Sequence, residues 1–230
     1  MINENWIYLG TAIGAAGAAV YLRDTLRGTT QPNRVTWLLW AAAPLLAAAV
    51  ELNQGVGLRA LPTFMVGFMP LLIFIASFHN SASVWKVRRI DYACGAVSVV
   101  GTIVWLVTRD GVLAISAAIA ADFLAGLPTL MKSWTHPETE TVHSYIGAVI
   151  SMVVLLLTVD HWTFDVVAFP LFVACMASVE SIVIGLELGP RFRRFRHRGG
   201  VSDLGIADPV GSLVLAGAGL LHLDSLIPVH

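Results

Sequence analysis

Two carboxylates stand where a carboxylate is expensive. Asp122 lies midway through the apolar run AAIAADFLAGLP, and Glu180 lies within ACMASVESIVIG. A charged side chain at the centre of a bilayer costs about 2.5–3.5 kcal/mol on insertion scales, so such residues are functional hypotheses by default. The chemistry open to the pair is to carry a proton or to grip a solute in a shared cavity. The alternative role is hydrogen-bonding glue between neighbouring helices. Prolines interrupt apolar runs at Pro44, Pro70, Pro128 and Pro170. Each removes a backbone donor and frees a carbonyl, so Pro70, Pro170 and Pro128 are hinge candidates. His79 and Asn80 close the third run and are gate candidates.

Other chemistries lack their residues. The lysines are Lys86 and Lys132, both in polar connectors, so no buried lysine offers itself to a retinal Schiff base. No histidine lies deep in an apolar run, which argues against bilayer-embedded haem ligation. Neither a glycine-rich phosphate loop nor a His-Glu-x-x-His pattern occurs. Cys94 and Cys175 both fall inside apolar runs and read as small core residues rather than a disulfide or a metal site. The expectation is a protein without cofactor or metal, not an enzyme. A formal net charge of −1 gives no basis for a nucleic-acid partner.

The elements that position these residues follow from composition. Hydrophobic residues make up 57% of the 230-residue chain and charged ones 13%, with a mean hydropathy of +0.76. Soluble domains hold about 25% charged residues. A bilayer core needs about 20 apolar helical residues per crossing. Seven stretches come close: 6–22, 35–50, 61–78, 90–107, 111–131, 145–159 and 164–186, the sixth short enough to need a turn from its flanks. Backbone groups in hydrocarbon must be satisfied within the segment, which demands helices. The chain therefore reads as an all-α polytopic membrane protein. Its leader MINEN has no Lys or Arg, unlike a secretory signal.

Cations sort by connector. Arg23, Arg27 and Arg34, then Lys86, Arg88 and Arg89, then Lys132, then Arg191, Arg193, Arg194, Arg196 and Arg198 follow the odd-numbered runs, 12 of the 14 basic residues. Arg59 and Arg109 stand on the other side. The positive-inside rule then places the N-terminus outside and the C-terminus in the cytoplasm of a cell (plasma) membrane protein. The tryptophans fit as interfacial anchors: Trp6, Trp105 and Trp162 outside, Trp37, Trp40, Trp85 and Trp134 inside.

Two of those connectors echo one another. YLRDTLRGTTQPNRVTWLLW and LPTLMKSWTHPETETVHSY each hold a cation, four residues, a proline, then an aromatic. Aligning Pro32 with Pro137 pairs Arg27 with Lys132 and Trp40 with Tyr145, which makes these two aromatics solute-binding candidates. GFMPLLIF and VAFPLFVA pair Pro70 with Pro170. The fourth run has no counterpart. The arrangement is three helices, one linker helix, three helices, as a parallel repeat requires. Expected units are 1–79, a linker 80–110 with the fourth helix, 111–188, and a basic cytoplasmic tail 189–230. Small residues crowd the first helix, with Gly14 and Gly17, and the fifth, so these helices should pack closely.

On these residues the chain resembles the PQ-loop superfamily, which includes the SWEET and SemiSWEET sugar carriers, lysosomal amino-acid exporters and the related PnuC-type vitamin carriers. Pro128 stands at the signature proline, Lys132 and Ser133 at its Lys-Ser, and Ser144 and Tyr145 at its Ser-aromatic pair. Thr129 replaces the signature glutamine, and Arg23 stands where the first repeat should have its proline. Pro70-Leu71 and Pro170-Leu171 replace the sugar carriers' Pro-Asn. The resemblance implies alternating-access transport of a small polar solute such as a sugar, amino acid or vitamin, to which the mid-run acids Asp122 and Glu180 would add proton coupling. The competing expectation is a non-transporting assembly factor, sensor or subunit on the same fold. A polar-lined cavity between the triads would favour transport, and a dry centre the rival. Partners are the lipid bilayer and the solute, with a homo-oligomer or larger membrane complex left open. The tail motif GPRFRRFRHRGG suits an anionic leaflet surface, and the apolar stretch 211–223 beyond it is too short to span.

Overall fold

The computed structural model describes residues 2–53, 55, 57–108 and 111–198. All regular structure in them is helical: α1 (Trp6–Arg27), α2 (Arg34–Asn53), α3 (Leu61–Ala76), α4 (Arg89–Val107), α5 (Gly111–Thr135), α6 (Val142–Thr158), α7 (Phe164–Gly185) and α8 (Leu188–Arg198), with short 3-10 turns at Gly57–Ala60, Ser81–Ser83 and Pro137–Thr139. Four of them, α2, α4, α5 and α7, are long and apolar enough to cross a bilayer. Helices α3 and α6 are apolar but shorter, at 16 and 17 residues. Each of the seven apolar runs holds a helix, and several helices run past the apolar stretch. Helix α5 continues to Thr135 and takes Lys132 and Ser133 into its last turns. Helix α6 begins at Val142, one turn before Tyr145.

The distribution of side chains is inverted relative to a water-soluble bundle. Val97, Val100, Ile103 and Val107 on α4, and Ile146, Ile150, Val153 and Leu157 on α6, face outward, while Thr36, Ser98, Thr129 and Ser133 are buried. Apolar outer faces of this extent suit an apolar solvent such as lipid. Association then depends on close backbone approach and hydrogen bonds rather than on the hydrophobic effect. Both devices are present. Gly14 and Gly17 of α1 lie against Ser151 and Gly147 of α6. Thr36 donates to the Ala125 carbonyl at 2.7 Å and accepts from Thr129 at 3.1 Å, tying α2 to α5. Ser98 donates to the Ala121 carbonyl at 2.7 Å, tying α4 to α5.

Helix α3 packs on α1 and α2, and α7 packs on α5 and α6. Helix α1 lies along α6, and α2 along α5, while α4 packs on α5 and α2.

The cation-bearing connectors meet at one end. The Gln31 amide donates to the Thr139 carbonyl at 3.0 Å. Asn80 Nδ2 donates to Leu26 O at 3.2 Å, and Ser83 donates to Thr25 O. Arg34 donates to Ser77 Oγ at 3.0 Å, and Arg193 to the Thr135 carbonyl at 3.1 Å. Gly28 ends α1 in the left-handed region (φ 79°), its amide returning to Thr25 O as a C-terminal cap does. Helix α8 was expected only as a basic tail. Phe192 holds it against Trp134, 6.2 Å between ring centroids. The apolar stretch 211–223 and Arg109 lie outside the described residues.

Candidate functional site

A cavity of about 180 Å³ lies between α1, α2, α3, α5, α6 and α7, and no α4 residue lines it. Most of its wall is Ala, Met, Val, Phe and Trp. The exceptions include Asp122, Glu180, Tyr145 and the hydroxyls of Thr11, Ser144 and Ser151. Glu180 is 1% exposed, and neither of its carboxylate oxygens has a hydrogen-bond partner. The Ser133 hydroxyl stands beside Glu180 as a neighbouring donor without reaching hydrogen-bond geometry. Asp122 makes no hydrogen bond or ion pair among the described residues. The interhelical glue is therefore supplied by Thr36, Thr129 and Ser98, and the two acids are left free of that role.

Local structure explains how the aromatics reach the cavity. Gly126 lies one turn beyond Asp122, and a Cβ there would sit 3.0 Å from the Trp40 ring, so the missing side chain is what lets the indole lie across α5. Trp40 meets Trp37 edge-on at 5.5 Å, and Trp37 tilts against Tyr21 at 4.6 Å. The indole N–H groups of Trp37 and Trp40 have no partner. Trp37, expected as an interfacial anchor, is instead core.

Toward the connectors the cavity is closed. On α1 its wall ends at Ala18, on α3 at Pro70 and on α7 at Glu180. One turn beyond each stand Tyr21, Ile73 and Ile184, buried together with Trp37 and Tyr145 in a single cluster. Behind this layer lies a wholly buried ion pair, Lys132 with Glu140. Lys132 also donates to the Gln31 carbonyl and lies 5.1 Å from the Trp85 ring centre. Glu140 accepts the Tyr145 hydroxyl at 2.9 Å. A second recess, with Asp24, Glu138, Glu140 and Glu187 in its wall, opens on the far side. Tyr145 thus faces the cavity and bonds Glu140, which faces the recess.

Of the residues singled out from sequence, Asp122, Glu180, Trp40, Tyr145 and Pro70 line the cavity. Pro170 lies in α7 outside its wall, and Pro128 is buried in α5 beside Thr129. Lys132, Ser133, Pro32 and Pro137 are buried at the connector end. His79 is exposed, and Asn80 caps the Ser81–Ser83 turn by accepting from the Ala82 amide at 2.9 Å. Two expectations change. Lys132, placed from sequence in a polar connector, is carried inward by the end of α5, where it pairs with Glu140. The pairing of Arg27 with Lys132 also fails as an equivalence of environment, since Arg27 is exposed. Sequence reasoning missed Tyr21 and Glu140. The available signal for Glu140 was an opposite charge across the Pro137 turn from Lys132. No family model, curated protein or solved structure matches the chain.

Proposed function

We propose that the chain is a multi-pass carrier of the plasma membrane that moves a small polar solute by alternating access. In this reading seven helices cross the bilayer as three, one and three, with the N-terminus outside, and proton coupling runs through Asp122 and Glu180. The observation that carries it is the cavity bounded by six helices and not by α4. The neighbour pattern supports the same repeat. Exchanging α1 with α5, α2 with α6 and α3 with α7 maps α1–α3 onto α5–α7, α2–α3 onto α6–α7, and α1–α6 onto α5–α2, and each of these pairs is in contact. The connectors at residues 28–33 and 136–141 are also equal in length. With its connector end shut by Tyr21, Trp37 and Tyr145, this conformation corresponds to a state closed toward the cytoplasm.

The mostly apolar wall favours a second reading, a non-transporting sensor or subunit on the same scaffold. Uptake of a radiolabelled solute panel into proteoliposomes, with and without a pH gradient, decides between them. The carrier reading expects flux of at least one solute that responds to the gradient. It also expects Asp122→Asn, which keeps shape and hydrogen bonding but removes ionisation, to fold, insert and lose that response. No flux across the panel supports the second reading, and full pH dependence in Asp122→Asn removes Asp122 from the coupling.

A further inference from the structure

The charged residues lining the cavity, Asp122 and Glu180, are both acids, and no Lys, Arg or His joins them. The nearest cation, Lys132, is already committed to Glu140 and to the Gln31 carbonyl. Both oxygens of Glu180 are buried and unpartnered. A carboxylate in that position is costly until a proton or a cation joins it. The remaining wall supplies the other half of a cation site. Trp37, Trp40 and Tyr145 place three aromatic rings in the same wall, and aromatic rings attract ammonium groups most strongly where water is excluded.

Size narrows the ligand further. An apolar cavity of about 150 Å³ takes a benzene molecule, and this one measures about 180 Å³. A sugar would strand its ring of hydroxyls on Ala, Met and Val, and an anion would meet two acids and no base. We propose that the cavity binds a small organic monocation, a primary to quaternary ammonium with a compact apolar substituent, in exchange for a proton on Asp122 or Glu180. One cation enters, one carboxyl releases its proton, and the charge of the site is unchanged. This substrate class rests on the carrier reading above, although the binding site itself does not require transport.

The titratable and charged groups around Glu180 are Tyr145 from α6, Tyr21 from α1, Lys132 from α5 and Glu140 from the connector. Asp122 shares the cavity with Glu180, and α2, α3 and α4 bring no titratable group to its wall.

The test is titration of the purified full chain in detergent with choline and benzyltrimethylammonium, followed by tryptophan fluorescence and by calorimetry in weak buffer. The control is 3,3-dimethylbutan-1-ol, the uncharged carbon isostere of choline. The expected result is binding of at least one cation about tenfold or more tighter than the isostere, a difference of about 1.4 kcal/mol, with proton release. The affinity should fall as pH is lowered, because protons compete for the same carboxyls. At least one of Glu180→Gln and Asp122→Asn should weaken cation binding about tenfold or more and abolish the proton release. Equal affinity for choline and its isostere, no measurable binding of either cation, or wild-type cation affinity in both Glu180→Gln and Asp122→Asn overturns the proposal. The isostere comparison needs no variant, so a misfolded mutant does not rescue it. Proteoliposome flux separates the two readings. Choline bound but never moved sinks the carrier and keeps the cation site. A neutral solute carried while neither cation binds keeps the carrier and sinks the cation site.

Discussion

The side chains of Lys132 and Glu140 are both fully removed from solvent, which makes each the other's main compensation for lost hydration. Removing one member of a buried pair leaves an uncompensated charge and costs about 3–5 kcal/mol, whereas replacing both with apolar or neutral groups of similar volume is often close to neutral. Lys132→Met and Glu140→Gln should therefore each destabilise the protein by about that much in detergent unfolding. The double variant should regain most of the loss. Equal, additive losses would mean the pair is not coupled. The single effects should not be identical, because Lys132→Met also strips Glu180 of its nearest cation while Glu140→Gln relieves it of a neighbouring acid. At this scale legibility depended on contrast. Asp122 and Glu180 were visible because each breaks an apolar run. Lys132 and Glu140 sit in a polar stretch that looks solvated, and their burial is created only when residues 136–141 fold back on residues 28–33.

Helix α1 lies closest to α6, and its glycines are not equivalent. A Cβ on Gly17 would stand 2.5 Å from the His143 carbonyl oxygen, a backbone atom that cannot rotate away. On Gly14 the nearest atom is the Ser151 Cβ at 3.2 Å, which can yield. Alanine in place of a helical glycine gains about 1 kcal/mol of intrinsic propensity, and overpacking costs about 1–3 kcal/mol. Gly17→Ala should thus be net destabilising, with α1 and α6 forced apart, while Gly14→Ala should lie within about 1 kcal/mol of wild type. Melting temperatures in detergent would check the order, and a reversed order would remove close backbone approach as the reason for Gly17. The elements themselves were largely readable, because seven apolar runs leave little doubt where helices form. Their ends were not, since α1 and α5 continue through Arg23, Arg27 and Lys132, where helical hydrogen bonding outlasts the apolar pattern. Helix α8 escaped notice for a related reason. It is rich in arginine, and the apolar signal for its docking is little more than Phe192, which meets Trp134.

For the whole molecule, the alternation of basic connectors predicts a shared face, and the contacts among residues 28–33, 77–88, 136–141 and the start of α8 bring these segments to one end. Contacts alone do not say which side of a membrane that end faces. The proposed orientation rests on charge asymmetry, because basic residues are retained in the cytoplasm while acidic ones contribute little, and 12 of 14 basic residues lie in these segments or in the helix turns that flank them. The native thiols, buried Cys94 and exposed Cys175, must first be replaced by alanine so that they do not report. Single cysteines at Arg27, Lys86 and Glu138 are then well placed, since all three side chains are exposed at the connector end. An impermeant maleimide added to intact cells should leave all three unlabelled, and permeabilisation should expose all three together. Labelling of the Lys86 position from outside would reverse the orientation. Labelling of one site but not the others would break the shared face, and with it the parallel repeat on which the carrier reading depends.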